Sequence, residues 1–164
     1  MDWEGYPVKI TKALEDYIKT IYAIESERGT VAVSDIAEAL DVKAPSVTTA
    51  LRRLNNLGLV RYKPYQDVRL TKNGYRVASS IQERYQVLYD FFQLLGINDD
   101  IATLDACEIE HVAHTETIEV LTEFLRFMRE GPRMPKWLSC FKEFQESGKF
   151  PEQCSQQQAE NHPQ

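Results

Sequence analysis

The chain has 164 residues, of which 43% are hydrophobic, and a net charge of −6 at pH 7. This length gives enough apolar mass for one medium-sized domain or two small ones, and no stretch approaches the roughly 18 apolar residues of a transmembrane helix. The amino terminus lacks the pattern of a secretory signal, so we expect a cytoplasmic protein whose three cysteines are free thiols or metal ligands rather than a disulfide framework.

The first half of the chain predicts three helices and a β-hairpin. Apolar residues recur at helical spacing through "TKALEDYIKTIYAIESERG", with Gly29 as the stop. "VSDIAEALDV" predicts a second helix with Ser34 as its N-cap, and "APSVTTALRRLNNLGLV" predicts a third, with Pro45 in its first turn and Gly58 at its end. "LVRYKPYQDVRLT" alternates apolar and polar residues around residues 64–67, which predicts a hairpin with a four-residue turn.

Helices are predicted for most of the second half. Thr71 is the expected cap of a long helix that runs to about Leu95, and Gly74 lowers helix propensity near its start. The polar linker "INDD" leads to a helix carrying "DACEIEHVAH", and another helix continues to about Arg129, where Gly131 and the proline after it end it. "PKWLSCFKEF" predicts a last short helix.

Charge is distributed unevenly along the chain. Residues 43–72 include seven basic residues and one acid, a balance of +6, so the rest of the chain carries −12. The basic stretch coincides with a helix, turn, helix and hairpin, which is the order of a winged helix-turn-helix. We therefore predict a mostly α fold with a winged helix-turn-helix DNA-binding domain at 1–75, an all-helical dimerisation and metal-binding domain at 76–150 and a disordered polar tail at 151–164.

The third helix is the predicted recognition element. Small polar side chains near its start suit base edges and phosphates in a major groove, and the arginines one turn later suit phosphates. One such domain offers few contacts, so we expect a homodimer on a two-fold symmetric DNA operator. The alternative is a solvated pair of amphipathic helices in an ordinary helical protein. The candidate DNA-binding residues are Ser34, Lys43, Pro45, Ser46, Thr48, Thr49, Arg52, Arg53 and Lys63.

The segment "DACEIEH" at 105–111 combines thiol, carboxylate and imidazole groups. On a helix Cys107, Glu110 and His111 occupy positions i, i+3 and i+4 and share one face, whereas Glu108 points elsewhere. This donor set suits a borderline divalent metal such as Fe(II), Co(II), Ni(II) or Zn(II). The open alternative places Cys107 in the core and the other two residues on the surface.

Other histidines and cysteines are weaker candidates. "EHVAH" is not the H-E-x-x-H of a zinc protease, and no base in a cleft accompanies the candidate ligands, so we predict that the protein is not an enzyme and keep a metalloenzyme as the less favoured reading. His114 is an additional ligand or a solvated side chain. Cys140, Cys154 and His162 form a second, labile site, or the two thiols are unpaired; we favour unpaired thiols.

Five segments in order, "LEDYIKTIY", "VSDIAEAL", "PSVTTALRRLNNLGLV", "VRLTKNGYRVA" and "ACEIEH", resemble the iron- and manganese-dependent repressors typified by the diphtheria toxin repressor. The resemblance covers about residues 11–130. It implies an N-terminal winged helix that binds DNA, followed by helices that dimerise and hold a regulatory metal. It also implies four metal ligands, namely Asp16, Cys107, Glu110 and His111, and a repressor of iron or manganese uptake genes in which the metal sets the spacing of the DNA-binding domains.

The chain departs from that family at several positions. Lys19 stands where manganese-type members have a carboxylate, and Cys107 stands where they have another. Tyr85 stands where both branches have a histidine, and the chain has no room for the SH3-like domain of the iron-type branch. We therefore expect one metal site per subunit, with Fe(II) favoured and Mn(II) next. The alternative is a winged-helix regulator that binds DNA but has lost metal sensing.

Overall fold

The computed structural model describes residues 10–131 and 136–155. The fold is mostly α, as predicted, and none of the helices in these ranges is both long and apolar enough to cross a membrane. The chain divides into two compact units, Met1–Gln86 and Val87–Gln164. The functional division at residue 75 remains a prediction. The elements are α1 (Lys12–Arg28), α2 (Val33–Ala39), α3 (Ala44–Asn56), β1 (Val60–Arg61), β2 (Arg69–Leu70), α4 (Lys72–Leu94), α5 (Asp99–Ile109), α6 (Thr115–Glu130), α7 (Lys136–Ser147) and α8 (Glu152–Ser155).

The first unit is built on one apolar core. Helix α1 buries a residue every third or fourth position and ends at Gly29, whose φ of 72° is left-handed, as the sequence predicted. Helix α3 starts with proline in its first turn and buries one stripe, so its polar face points outward. Burying each aliphatic side chain contributes about 1.5–3 kcal/mol. The core residues of these two helices are Leu14, Ile18, Ile21, Ile24, Val47, Ala50, Leu51 and Leu54.

The predicted N-cap of α2 was wrong. The helix begins at Val33 with Ala32 as N-cap, and Ser34 is an exposed residue of its first turn. Alanine has no side-chain acceptor for the free N–H groups of the first turn. The Asp35 carboxylate instead accepts a hydrogen bond from the Ala32 N–H at 2.9 Å, so only the reverse half of a capping box is present.

The hairpin is confirmed, but its connection is longer than predicted. Only Val60 pairs with Leu70 and Arg61 with Arg69, so residues 62–68 form a seven-residue connection rather than a four-residue turn. The Val68 N–H donates to a backbone carbonyl ahead of α2 at 2.8 Å, so the chain leaves the ladder before the turn. We call residues 62–68 the wing.

A buried carboxylate on α1 holds the second strand of the hairpin. Glu25 lies 3.3 Å from the Arg69 guanidinium and accepts the Leu70 N–H at 3.4 Å. The same guanidinium donates to the carbonyl of Gly29. A hydrogen bond with Glu25 also raises the pKa of Tyr75 above its usual 10.0. Glu25 therefore ties α1, the hairpin and the start of α4 together.

The start of α4 requires a glycine. The Thr71 hydroxyl accepts the Gly74 N–H at 3.1 Å, which confirms the predicted cap, and it donates to the Gly58 carbonyl at 2.6 Å. A Cβ atom at Gly74 would lie 2.0 Å from the carbonyl oxygen of Leu59. Close approach of α4 to the backbone that follows α3 therefore explains this glycine, although glycine lowers helix propensity.

The second unit combines buried small residues with exposed large apolar ones. Asn98 caps α5 by accepting the Asp100 N–H at 3.0 Å. Ala102 and Ala106 are fully buried and lie on the face of α5 that packs against the rest of the protein. Contiguous apolar patches on a protein surface commonly mark an association surface, and several large apolar side chains of this unit are exposed. On α5 and α6 these are Ile101, Leu104, Val120 and Phe127.

Cys140 and Cys154 are not unpaired, contrary to the expectation from the sequence. They form a disulfide with a Cα–Cα distance of 6.4 Å, within the usual range for such a bond. Residues 152–155, the start of the expected tail, form α8. The remainder of that tail, with His162, lies outside the described residues.

We expect one reactive thiol in the oxidised protein and three after reduction. Cys107 lies outside the disulfide that joins Cys140 and Cys154. Titration of the unfolded chain with a thiol reagent, before and after reduction, measures this number. Cys140→Ser should expose Cys154 and give two reactive thiols without reductant, and three thiols in the untreated wild type would contradict the pairing.

Candidate nucleic-acid interface and metal centre

The outward face of α3 borders a groove of about 520 Å³ between this helix, the start of α2 and the wing. Ser34, Thr48 and Arg52 line it, together with Tyr62 and residues 64–67 of the wing. The buried stripe of α3 fixes this orientation, because Val47 and Leu51 face the core on the opposite side. A helix that presents polar side chains beside a hairpin has the arrangement of a recognition helix and its wing.

The residues selected from the sequence as DNA contacts are accessible. Thr48 is half-buried and the other eight are exposed, so each is able to meet a ligand. The Thr49 hydroxyl donates to the Pro45 carbonyl at 2.9 Å, so this hydroxyl is already engaged within α3. Sequence reasoning missed Tyr62 and Tyr65 of the wing, because their place on the groove depends on how the long connection folds back. By position, Ser34 lies in α2, Lys43 precedes α3, Pro45, Ser46, Thr48, Thr49, Arg52 and Arg53 lie in α3, and Lys63 lies in the wing.

The predicted helix through "DACEIEHVAH" ends earlier than expected. Helix α5 stops at Ile109, and Glu110 is its C-cap with helical φ and ψ of −54° and −31°. The N–H groups of Val112 and Ala113 both reach the Ile109 carbonyl, at 3.0 and 2.8 Å, which closes a turn. Glu110 therefore keeps its helical relation to Cys107, whereas His111 lies in the turn.

Glu110 and His111 form a buried pair. The Glu110 Oε1 and His111 Nε2 atoms are 3.4 Å apart, and their side chains are 0% and 2% exposed. Cys107 is a half-buried cysteine outside the disulfide, in the last turn of α5, and Glu108 is exposed, as predicted. Within residues 10–131 and 136–155, no three acidic, histidine or cysteine side chains are grouped to hold an ion. The structure thus brings together two of the predicted ligands.

This donor set fits a divalent transition metal. A buried carboxylate is costly unless positive charge or hydrogen bonds compensate it, and a metal cation bound by Glu110 and His111 would supply such charge. Carboxylate and imidazole, with a thiol one helical turn away, are the ligand types of Fe(II), Mn(II) and Zn(II) sites. His114, the N-cap of α6, is exposed.

The fourth predicted ligand, Asp16, is half-buried on α1 in the first unit. One turn further along α1, the Lys19 ammonium lies 5.5 Å from the centre of the Tyr85 ring, within the range of a cation–π interaction. Lys19 and Tyr85 are two of the positions at which the sequence departs from the repressor pattern, the first replacing a carboxylate and the second a histidine. These two departures therefore contact each other.

Comparison with known families covers most of the chain. Residues 9–68 match the model of the iron dependent repressor, N-terminal DNA binding domain. Residues 71–138 match the iron dependent repressor, metal binding and dimerisation domain. The chain belongs to the iron dependent repressor family. It is a DNA-binding, metal-dependent transcriptional regulator that dimerises through its second domain, as the sequence predicted.

Two curated relatives match this repressor over nearly their whole length. The HTH-type transcriptional regulator MntR of Lysinibacillus sphaericus (strain C3-41) is 31% identical over 132 residues, which are 80% of this chain and 95% of that protein. MntR of Shouchella clausii (strain KSM-K16) is 30% identical over 142 residues, which are 87% and 97% of the two chains.

A solved structure also resembles this repressor. The manganese regulator SloR has a TM-score of 0.61 and 28% identity, over 73% of this chain and 55% of SloR. The chain thus spans about half the length of SloR. The family is one of transcriptional regulators rather than of enzymes.

Proposed function

We propose that this repressor binds one regulatory divalent metal ion per subunit through Asp16, Cys107, Glu110 and His111. The buried Glu110–His111 pair, with 3.4 Å between its atoms, is the observation that carries the proposal. The ion supplies positive charge and directional bonds to ligands from both domains. Glu110 and His111 are held by the end of α5 and the turn after it, and Asp16 is held by α1 of the DNA-binding domain.

Metal and DNA are then linked through the same protein conformation. If ligands from both domains bind one ion, that ion favours one placement of each DNA-binding domain, and operator DNA favours the same placement. Reciprocity requires DNA to tighten metal binding by the factor by which metal tightens DNA binding, typically about 5–150-fold. We propose a cytoplasmic homodimer on a two-fold symmetric operator of iron or manganese uptake genes.

The identity of the metal follows from the ligands. Thiol plus imidazole favours Fe(II), and two carboxylates keep Mn(II) next, with Zn(II), Co(II) and Ni(II) as further ions that accept this set. A similar structure, 27% identical with a TM-score of 0.63 over 70% of this chain and 53% of its own, is a manganese-dependent transcriptional repressor in complex with manganese. That likeness supports a test with Mn(II) beside Fe(II).

A second candidate function is DNA binding without metal sensing. The Lys19–Tyr85 contact favours it, because a lysine and a tyrosine fill positions that hold metal ligands in the repressor pattern. Under our proposal the same contact limits the protein to one ion per subunit. The two functions differ in whether metal changes DNA affinity.

Metal titration of the DNA affinity separates the two functions. A DNA duplex selected from a random library by the wild-type protein is titrated anaerobically with Fe(II), with Mn(II) and with a chelator, and binding is followed by fluorescence anisotropy. We expect a metal-dependent gain in affinity of about 5–150-fold, the size of typical coupling free energies. Equal affinity with metal and with chelator would establish the non-sensing regulator instead.

A further inference from the structure

Tyr65 stands at the tip of the wing with its side chain in solvent. Its relative exposure is 106%, whereas Val68 at the base of the same wing is fully buried. An exposed aromatic ring gives up the apolar burial through which such residues usually stabilise a fold. The ring therefore adds nothing to the packing of the DNA-binding domain.

The backbone at Tyr65 is equally unsuited to a large side chain. Its φ of 63° is left-handed, a region that glycine occupies freely and in which a Cβ atom crowds the neighbouring carbonyl. Glycine at this position would form the turn with less strain. Strained residues that the fold does not need are found at binding and catalytic sites.

The tip belongs to the groove beside the recognition helix. Tyr65 and Pro64 line the groove of about 520 Å³ to which α3 contributes Thr48 and Arg52. The tip carries little net charge, because Lys63 is matched by Asp67. It therefore offers DNA an apolar ring rather than a phosphate-binding cation.

We propose that the Tyr65 ring enters the minor groove next to the major groove occupied by α3, and packs there against deoxyribose and base edges. Proteins that bind the minor groove insert uncharged apolar side chains there as well as basic ones. Tyr65 lines the same groove as Thr48 and Arg52, so its ring lies beside the face of α3 that would meet DNA. The inference rests on the DNA binding of the family and is independent of the metal proposal, so each is able to fail alone.

Two substitutions in the full chain test the ring. Tyr65→Gly removes it and relieves the left-handed strain, and Tyr65→Phe retains it. In the metal condition that gives tightest wild-type binding, Tyr65→Gly should weaken binding of the selected duplex about tenfold, and Tyr65→Phe should stay within about twofold. The thermal midpoint of Tyr65→Gly should be unchanged or higher. Equal duplex affinity of wild type and Tyr65→Gly would overturn the proposal.

The salt dependence of binding separates a ring contact from a charge contact. Lys63→Ala is the matched control, because it removes a cation from the same wing. It should lower the slope of log affinity against log salt by about one, whereas Tyr65→Gly should leave that slope unchanged. A reduced slope for Tyr65→Gly would show that this substitution changes charge contacts with DNA. That result would contradict a ring bound in the minor groove.

Crosslinking identifies what the ring contacts. Replacing Tyr65 with photoreactive p-benzoylphenylalanine should yield crosslinks to nucleotides beside the α3 contact, and netropsin, which fills the minor groove, should suppress them. Crosslinks that persist with netropsin, or that join two protein chains, would overturn the assignment.

Discussion

His111→Ala is expected to abolish the metal-dependent gain in DNA affinity. The substitution removes one proposed ligand and leaves the buried Glu110 carboxylate without the imidazole that lies 3.4 Å away. Changing a residue that only hydrogen-bonds to a metal ligand typically lowers metal affinity about 10–100-fold. Loss of a ligand itself should lower the metal affinity at least that much. Calorimetric titration with Mn(II) and Fe(II), and anisotropy with the selected duplex, measure the two effects.

Two further variants control for damage to the fold. Cys107→Ser changes a half-buried ligand with little change in volume, and it should also lose the metal effect. Glu108→Gln changes the exposed carboxylate next to it and should retain that effect. Asp16→Asn tests the ligand from the DNA-binding domain. Full metal stimulation in both His111→Ala and Cys107→Ser would exclude the proposed site.

Gly74→Ala is expected to destabilise the protein by about 3 kcal/mol, at the upper end of overpacking effects. Helix propensity alone predicts the opposite sign, because alanine favours a helix over glycine by about 1 kcal/mol. The contact decides, since the added Cβ would lie 2.0 Å from the Leu59 carbonyl oxygen, and that backbone follows directly from α3. Urea denaturation followed by circular dichroism measures the change.

Asn73→Ala is the matched control for the glycine substitution. Asn73 is exposed and precedes Gly74 in the first turn of α4, so its stability change should stay within about 0.5 kcal/mol. A Gly74→Ala protein as stable as Asn73→Ala would show that α4 moves away from Leu59 at little cost. That result would remove the close approach as the reason for the glycine.

Local physics was enough to predict much of this repressor. The C-terminal end of α1 follows from Gly29, and the N-terminal end of α3 follows from Pro45. Both residues act within one helical turn. The Thr71 cap depends on a hydrogen bond between residues three apart, so it too was predictable. Together with charge, these local signals were sufficient to predict a winged helix with an exposed, basic recognition helix.

Interactions between distant segments decided the rest. The wing is long because Val68 bonds to the backbone before α2, and no pattern within the hairpin records that bond. Cys140 and Cys154 pair because α8 returns to α7. The Lys19 ammonium meets Tyr85 because α1 and the first part of α4 share one core. Even the sign of the Gly74 effect depends on Leu59. Periodicity and propensity describe neighbours along the chain, whereas these contacts join residues that only the folded chain brings together.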